Sequence, residues 1–148
     1  MWTGVHTTEL MMHPPDRCRR ILCAVDTNAT DVEVIRWAAR FCKEQCAEVQ
    51  LVHAIQGGEP DQFDSVAFNG FLARFAQEEL AKMQAEAGTA WRVHVPIGNP
   101  AKVIHRVAVD QEADLVVIGR GVLKKALGRL RSNAYSIIRE SPCPVISI

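Results

Sequence analysis

The chain is expected to fold as one α/β domain around a five-stranded parallel sheet with helices on both faces. Three observations predict this. Runs such as Ile21-Leu22-Cys23-Ala24-Val25 and Leu115-Val116-Val117-Ile118 are apolar at every position, which suits strands covered on both sides. Segments with apolar residues three and four apart alternate with those runs, the signature of helices with one buried stripe. The 148 residues make one domain of ordinary size, able to bury roughly 70% of its unfolded surface.

The elements read off in order. Residues 1–18, with Pro14-Pro15 and no periodicity, read as a tail, and the domain is expected over 19–148. The first strand is Arg20–Asp26. Thr30-Asp31-Val32-Glu33 fits a capping box, a hydroxyl at the N-cap and a carboxylate three residues on, opening a helix with Val34, Ile35, Ala38, Phe41, Cys42 and Cys46 on its inner stripe. Val49–Ile55 is the second strand. A helix follows over Phe63–Ala87, stopped by Gly88, then a third strand over Trp91–Val95. Asn99-Pro100 states a helix start, with Asn99 as N-cap and Pro100 at the first helical position. Asp114–Gly119 is the most apolar strand. A loop rich in Gly, Lys and Arg leads to a helix near Ser132–Glu140 with Ser132 as N-cap, and Val145–Ile148 is the fifth strand. Strand–helix alternation requires right-handed crossovers and a parallel sheet. Sheets of this kind bind ligands beyond the carboxyl ends of the strands where the order reverses, which directs attention to the loops after the first and fourth strands.

Composition excludes several classes. Seventeen basic residues balance seventeen acidic ones, which argues against broad nucleic-acid or anionic-membrane binding. No apolar run approaches the ~20 residues of a spanning helix, and the amino terminus lacks the pattern of a signal peptide, so the cytoplasm is the expected compartment. Cys18, Cys23, Cys42, Cys46 and Cys143 follow no framework spacing and supply no metal site; they are expected as free thiols. Of the histidines, His53, His94 and His105 sit within or beside apolar stripes, and none pairs locally with an acid and a nucleophile. No catalytic residue is assigned.

Two segments are candidates for chemistry. Asp26 ends the first strand, so its carboxylate stands at the sheet's carboxyl edge, either as an acceptor for a base or ribose or as a cap on the amides of Asn28 or Thr30. The Gly119–Ser132 loop holds three glycines and, from Arg120 to Arg131, five basic residues and no acids. Glycines let backbone N–H groups approach an anion and a helix N-terminus adds partial positive charge, so the loop is either a phosphate cradle or a solvated basic loop. It contains no Walker P-loop, no dinucleotide fingerprint and no nucleophile elbow.

From residue 19 onward the chain resembles the universal stress protein family. The matching pieces are Ile21–Asp26, Leu51-Val52-His53-Ala54, Gly98-Asn99-Pro100-Ala101, Ala113–Gly119 and Pro142-Cys143-Pro144-Val145, in that order. The resemblance implies a doubly wound, Rossmann-like sheet of the adenine-nucleotide-hydrolase type with strand order 3-2-1-4-5, and a homodimer. It also implies a nucleotide site in which Asp26 accepts from the adenosine, the Ala54 backbone faces the base, and Gly119, Gly121 and Ser132 line the phosphates. Ala24, Ile118, Arg120, Arg131 and Asn133 complete the expected lining.

ATP-binding members of the family carry Gly-x-x-Gly, nine residues, then Gly-Ser or Gly-Thr. Here Gly119-Arg120-Gly121 is one residue short, and Arg131 stands where the later glycine belongs. Losing one or two charge-assisted hydrogen bonds to phosphate, at about 1.5–3 kcal/mol each, would weaken binding by one to a few orders of magnitude. The expectation is therefore a non-enzymatic stress-response or regulatory protein without tight ATP binding. An ATP binder with slow hydrolysis, with ATP or AMP as ligand, and a ligand-free interaction or chaperone-like module are the alternatives. The short apolar strand Val145-Ile146-Ser147-Ile148 is an edge that invites pairing with a second copy.

Overall fold

A computed structural model describes residues 17–56, 65–119 and 129–148. Its strands are β1 (Arg20–Ala24), β2 (Glu48–Val52), β3 (Arg92–His94), β4 (Leu115–Ile118) and β5 (Val145–Ser147), and its helices are α1 (Asp31–Gln45), α2 (Ser65–Ala87), α3 (Pro100–Asp110) and α4 (Arg129–Glu140). All four strand pairs are parallel and the order is β3-β2-β1-β4-β5, the doubly wound arrangement that the resemblance implies.

The two faces of the sheet build two cores. Because side chains alternate along a strand, Ile21 and Cys23 of β1 join Leu51, Val117, Ile35, Ala38 and Leu80 on the side covered by α1 and α2. Leu22 and Ala24 join Val52, Val116, Ile118, Ile104, Ala108 and Ile137 on the side covered by α3 and α4. The unbroken apolar runs of β1 and β4 thus serve both cores at once, and Leu22, Leu51, Val116 and Val117 are at most 1% exposed. Truncating such a side chain, Leu51→Ala for example, costs about 2–5 kcal/mol.

Several local signals act as expected. Asn99 is extended at φ −63 and ψ 126 and its side chain accepts from the Lys102 N–H, with Pro100 following. Gly88 takes φ +73 after the last residue of α2, a conformation that costs glycine nothing. Gln84, 6% exposed, had no sequence signal; its amide donates to the Trp91 carbonyl and accepts from Trp91 N–H and the Thr89 hydroxyl, clamping the turn into β3.

Two helix starts differ from expectation. Thr30 lies in the helical region at φ −67 and ψ −23 and makes no side-chain cap. The entry to α1 is closed instead by Asp31 N–H donating to the Asn28 carbonyl at 2.9 Å, while the Glu33 carboxylate turns to Arg36. Helix α4 begins at Arg129, so Ser132 lies inside the helix and is not its N-cap. Leucine and arginine are good helix formers, and Arg129-Leu130-Arg131 extends the helix by nearly one turn. Cys46 takes φ 53 beyond the end of α1, which removes it from the inner stripe and leaves it exposed.

Candidate functional site

Strand β1 is the switch point of the sheet, paired with β2 on one side and β4 on the other; Ala24 is level with Val52 and with Ile118. In sheets of this order the ligand crevice lies beyond the carboxyl ends of the strands at such a point. Val25 extends β1 by one step, its N–H donating to the Val52 carbonyl at 3.0 Å. Asp26 is the first residue clear of the ladder.

The Asp26 side chain is 56% exposed, with Oδ1 3.8 Å from His53 Nδ1. It caps neither the Asn28 nor the Thr30 amide among the described hydrogen bonds. The capping runs the other way: Asp26 N–H donates to Oδ2 of Asp31 at 2.5 Å. Asp31 belongs to the first turn of α1, is 8% exposed, and folds back under the 26–31 turn to reach the end of β1. Its carboxyl is pushed up to about 6 by burial, reinforced by the Asp26 charge and opposed by the Asp26 N–H and by His53. A carboxylate in poor solvent beside a second carboxylate holds its proton longer.

His53 stands one residue past β2 with Nδ1 2.9 Å from the Val25 carbonyl. A carbonyl oxygen only accepts, so Nδ1 carries the proton in this contact. The ring thereby ties β2 to β1 where the strands part. Ala54 follows and packs against the α3–α4 core. Ile55 then bridges to Ile97, so the β2–β3 side of the crevice stays closed for three residues beyond β2.

On the β4 side, Ile118 is 3% exposed and Gly119 turns off the sheet. A Cβ on Gly119 would lie 3.0 Å from Val34 Cγ2 and 3.3 Å from Asp31 Oδ1. Gly119 is thus a close-approach glycine, where a side chain would crowd Val34 first and the Asp31 carboxyl next. The end of β1, the start of α1 and the end of β4 converge on that one carboxyl group.

Of the residues expected from sequence, the structure brings Ala24, Asp26, Ala54, Ile118 and Gly119 to the ends of three adjacent strands. Arg120 and Gly121 lie outside the described residues. Arg131, Ser132 and Asn133 fall within α4. Asp31 and His53 were not singled out for the site. The available signal for Asp31 was an acid in the first turn of the helix that leaves the switch-point strand; for His53 it was a histidine level with the strand end. The other two described histidines make structural contacts: His94 Nε2 meets Gln50 Oε1 at 2.6 Å and His105 Nδ1 meets the Glu140 carbonyl at 2.6 Å. Among the described residues no group of three or more His, Cys, Asp or Glu could hold a metal ion, and no helix is long and apolar enough to cross a membrane.

Comparison with known proteins places this geometry in context. A universal stress protein of Thermus aquaticus, encoded in the QAH/OAS sulfhydrylase 3' region, is 32% identical over 108 residues, covering 69% of this chain and 77% of its own. A universal stress protein solved in complex with cAMP superposes with a TM-score of 0.63 at 18% identity, over 90% of this chain and 98% of that one. The universal stress protein of Archaeoglobus fulgidus, solved in complex with dAMP, gives 0.59 at 24% identity, over 88% of this chain and 97% of that one. The sequence model of the universal stress protein family matches residues 17–148, and the chain belongs to that family.

Proposed function

We propose that this chain is a non-enzymatic regulatory stress protein whose carboxyl-edge crevice takes an adenine nucleotide of low charge, without tight binding of ATP. The observation that carries the reading is the convergence of Asp26, Asp31 and Gly119 at the β1–β4 switch point. Asp26 offers an exposed acceptor for a ribose hydroxyl or the adenine amine. Structurally similar family members are solved with dAMP and with cAMP, which favours a monophosphate. The Asp31 carboxyl near the end of β4 and the Asp26 carboxylate near the end of β2 make the place unfavourable for a triphosphate, and Arg131 in place of the later motif glycine acts in the same direction. Five basic residues between Arg120 and Arg131 favour the second reading, an ATP binder with slow hydrolysis.

Calorimetric titration separates the two. The first reading expects AMP or cAMP to bind with a dissociation constant of about 10–500 μM and ATP–Mg²⁺ to bind no tighter. A low-micromolar constant for ATP–Mg²⁺ would sink it. Arg131→Gly sharpens the result: a gain in ATP affinity identifies the arginine as an obstruction, and a loss identifies it as a phosphate ligand.

The regulatory reading includes a symmetric homodimer in the cytoplasm. Strand β5 is an edge of the sheet, paired with β4 alone, and its residues Val145, Ile146 and Ser147, with Ile148 after them, are only half-buried. Tyr135 and Ile138 are exposed on α4. An open apolar edge favours pairing with a second copy. Light scattering at micromolar concentration is expected to give twice the 16.4 kDa chain mass, and a monomer would contradict the dimer.

A further inference from the structure

Asp31 is a buried titratable group in the crevice whose protonation the nucleotide reading does not use. Its Oδ2 accepts from Asp26 N–H at 2.5 Å, and its Oδ1 would lie 3.3 Å from a Cβ added to Gly119 on the facing strand end. Among the described residues the groups around it are few. From the preceding turn there is Asp26, a second negative charge. From β2 there is His53, whose Nδ1 is engaged by the Val25 carbonyl. From β1 there is Cys23, fully buried, its thiol pushed far up by burial and by the Asp31 charge and therefore neutral. On its own helix, Glu33 is paired with Arg36. From β4 there is Gly119, which carries no charge. Among the described residues, no lysine or arginine forms an ion pair with Asp31.

We propose that Asp31 controls the entry of anionic ligands by taking up a proton: its ionised carboxylate repels a phosphate placed beside Gly119, and its neutral acid admits one. The inference rests on the nucleotide reading above and adds regulation to it. A phosphate seated at the end of β4 lies near the Asp31 carboxyl, which is buried and so interacts with a like charge more strongly than it would in water. Binding the anion therefore raises the proton affinity of Asp31, and the proton comes from solvent. The group already sits near 6 in the empty site, so this linkage acts within the physiological range. A neutral nucleoside has no such coupling. The consequence is a crevice that fills with nucleotide as its surroundings acidify.

The test compares cAMP with adenosine. The cAMP phosphodiester keeps its single charge throughout neutral pH, so any slope belongs to the protein. Calorimetry is run from about pH 6 to pH 8, in buffers of differing ionisation enthalpy, on the wild-type protein and on Asp31→Asn. The expected result for wild type is a cAMP affinity that falls roughly three- to tenfold per pH unit with net proton uptake, beside a flat profile for adenosine. Asp31→Asn is expected to bind cAMP without slope or uptake, as tightly as wild type does near pH 6. A flat wild-type cAMP profile, or a slope that persists in Asp31→Asn, overturns the proposal while leaving the nucleotide reading intact. Failure of both ligands to bind either protein at any pH overturns the nucleotide reading and this proposal with it. Should Asp31→Asn not fold, proton uptake by the wild-type protein, present with cAMP and absent with adenosine, decides the question.

Discussion

The two ends of β1 carry the same device in different surroundings. At the amino end, Asp114 Oδ2 accepts from the N–H groups of Arg19 and Arg20 at 2.8 and 3.0 Å, and Asp114 N–H donates back to the Arg20 carbonyl at 2.8 Å. Arg20 and Glu112 form an ion pair beside it. At the carboxyl end, Asp31 takes a single N–H from Asp26, is buried, and faces another carboxylate. Asp114 is half-exposed, and the contact fixes the register of β1 against β4. Asp31 is held where its charge is poorly sustained. An aspartate capping backbone N–H groups thus joins two strands at one edge, while at the other it is buried beside a second carboxylate, which raises its proton affinity.

The largest expected effect is at the structural end. Asp114→Ala leaves two strand-end N–H groups without their side-chain acceptor and is expected to cost about 1.5–3 kcal/mol of unfolding free energy by urea denaturation. A loss below 0.5 kcal/mol, on the order of a surface substitution, would break the comparison from this side.

The ligand end is expected to respond with the opposite sign. The folded-state value of Asp31, about 6, lies above the ordinary 3.8, so the folded protein holds this proton more tightly than the unfolded chain does. The stabilisation from that proton is complete below about 3.8 and is lost as pH rises through 6. Asp31→Asn keeps an oxygen for the Asp26 N–H and removes the buried charge. It is expected to gain about 1–2 kcal/mol at pH 7.5 and to lose the pH dependence between 4 and 6. Urea denaturation at several pH values measures both, and a destabilised Asp31→Asn at pH 7.5 would show that the carboxylate is structural after all.

Smaller effects sharpen the contrast. Gly119→Ala must displace Val34 or Asp31 and is expected to cost about 1 kcal/mol, less in the Asp31→Asn background if the carboxyl is the stiffer neighbour. His53→Ala leaves the Val25 carbonyl without its donor, at about 1 kcal/mol, and removes a group that favours the charged form of Asp31. The Asp31 carboxyl is therefore expected to titrate at higher pH in that variant, as followed by carbon NMR of the side chain.

Much of this frame was legible in the residues. Strands buried on both faces must be apolar throughout, so β1 and β4 declared themselves. Asn99-Pro100 declared a helix start because its cap is local. The strand order came from the resemblance, since no local signal orders non-adjacent strands. What failed was also physical. Thr30 and Glu33 have the spacing of a capping box, yet Asp31 completes the entry through its backbone and turns its side chain to Asp26. That contact spans a turn and depends on tertiary placement. Asp31 and His53 were hidden because neither forms a motif; each matters only through what β1 and β4 bring within reach of it. Asp26 and Gly119 were visible from strand-end position alone.

The central claim is that ligand chemistry belongs to the carboxyl edge of β1 and structure to its amino edge. Titrating cAMP into isotope-labelled protein at about pH 6 and following backbone amides tests it most directly. The account expects shifts at Asp26, Ala54 and Gly119, with Arg19 and Arg20 unmoved. Shifts centred on Arg19 and Arg20, or none at Asp26 and Gly119, would contradict it.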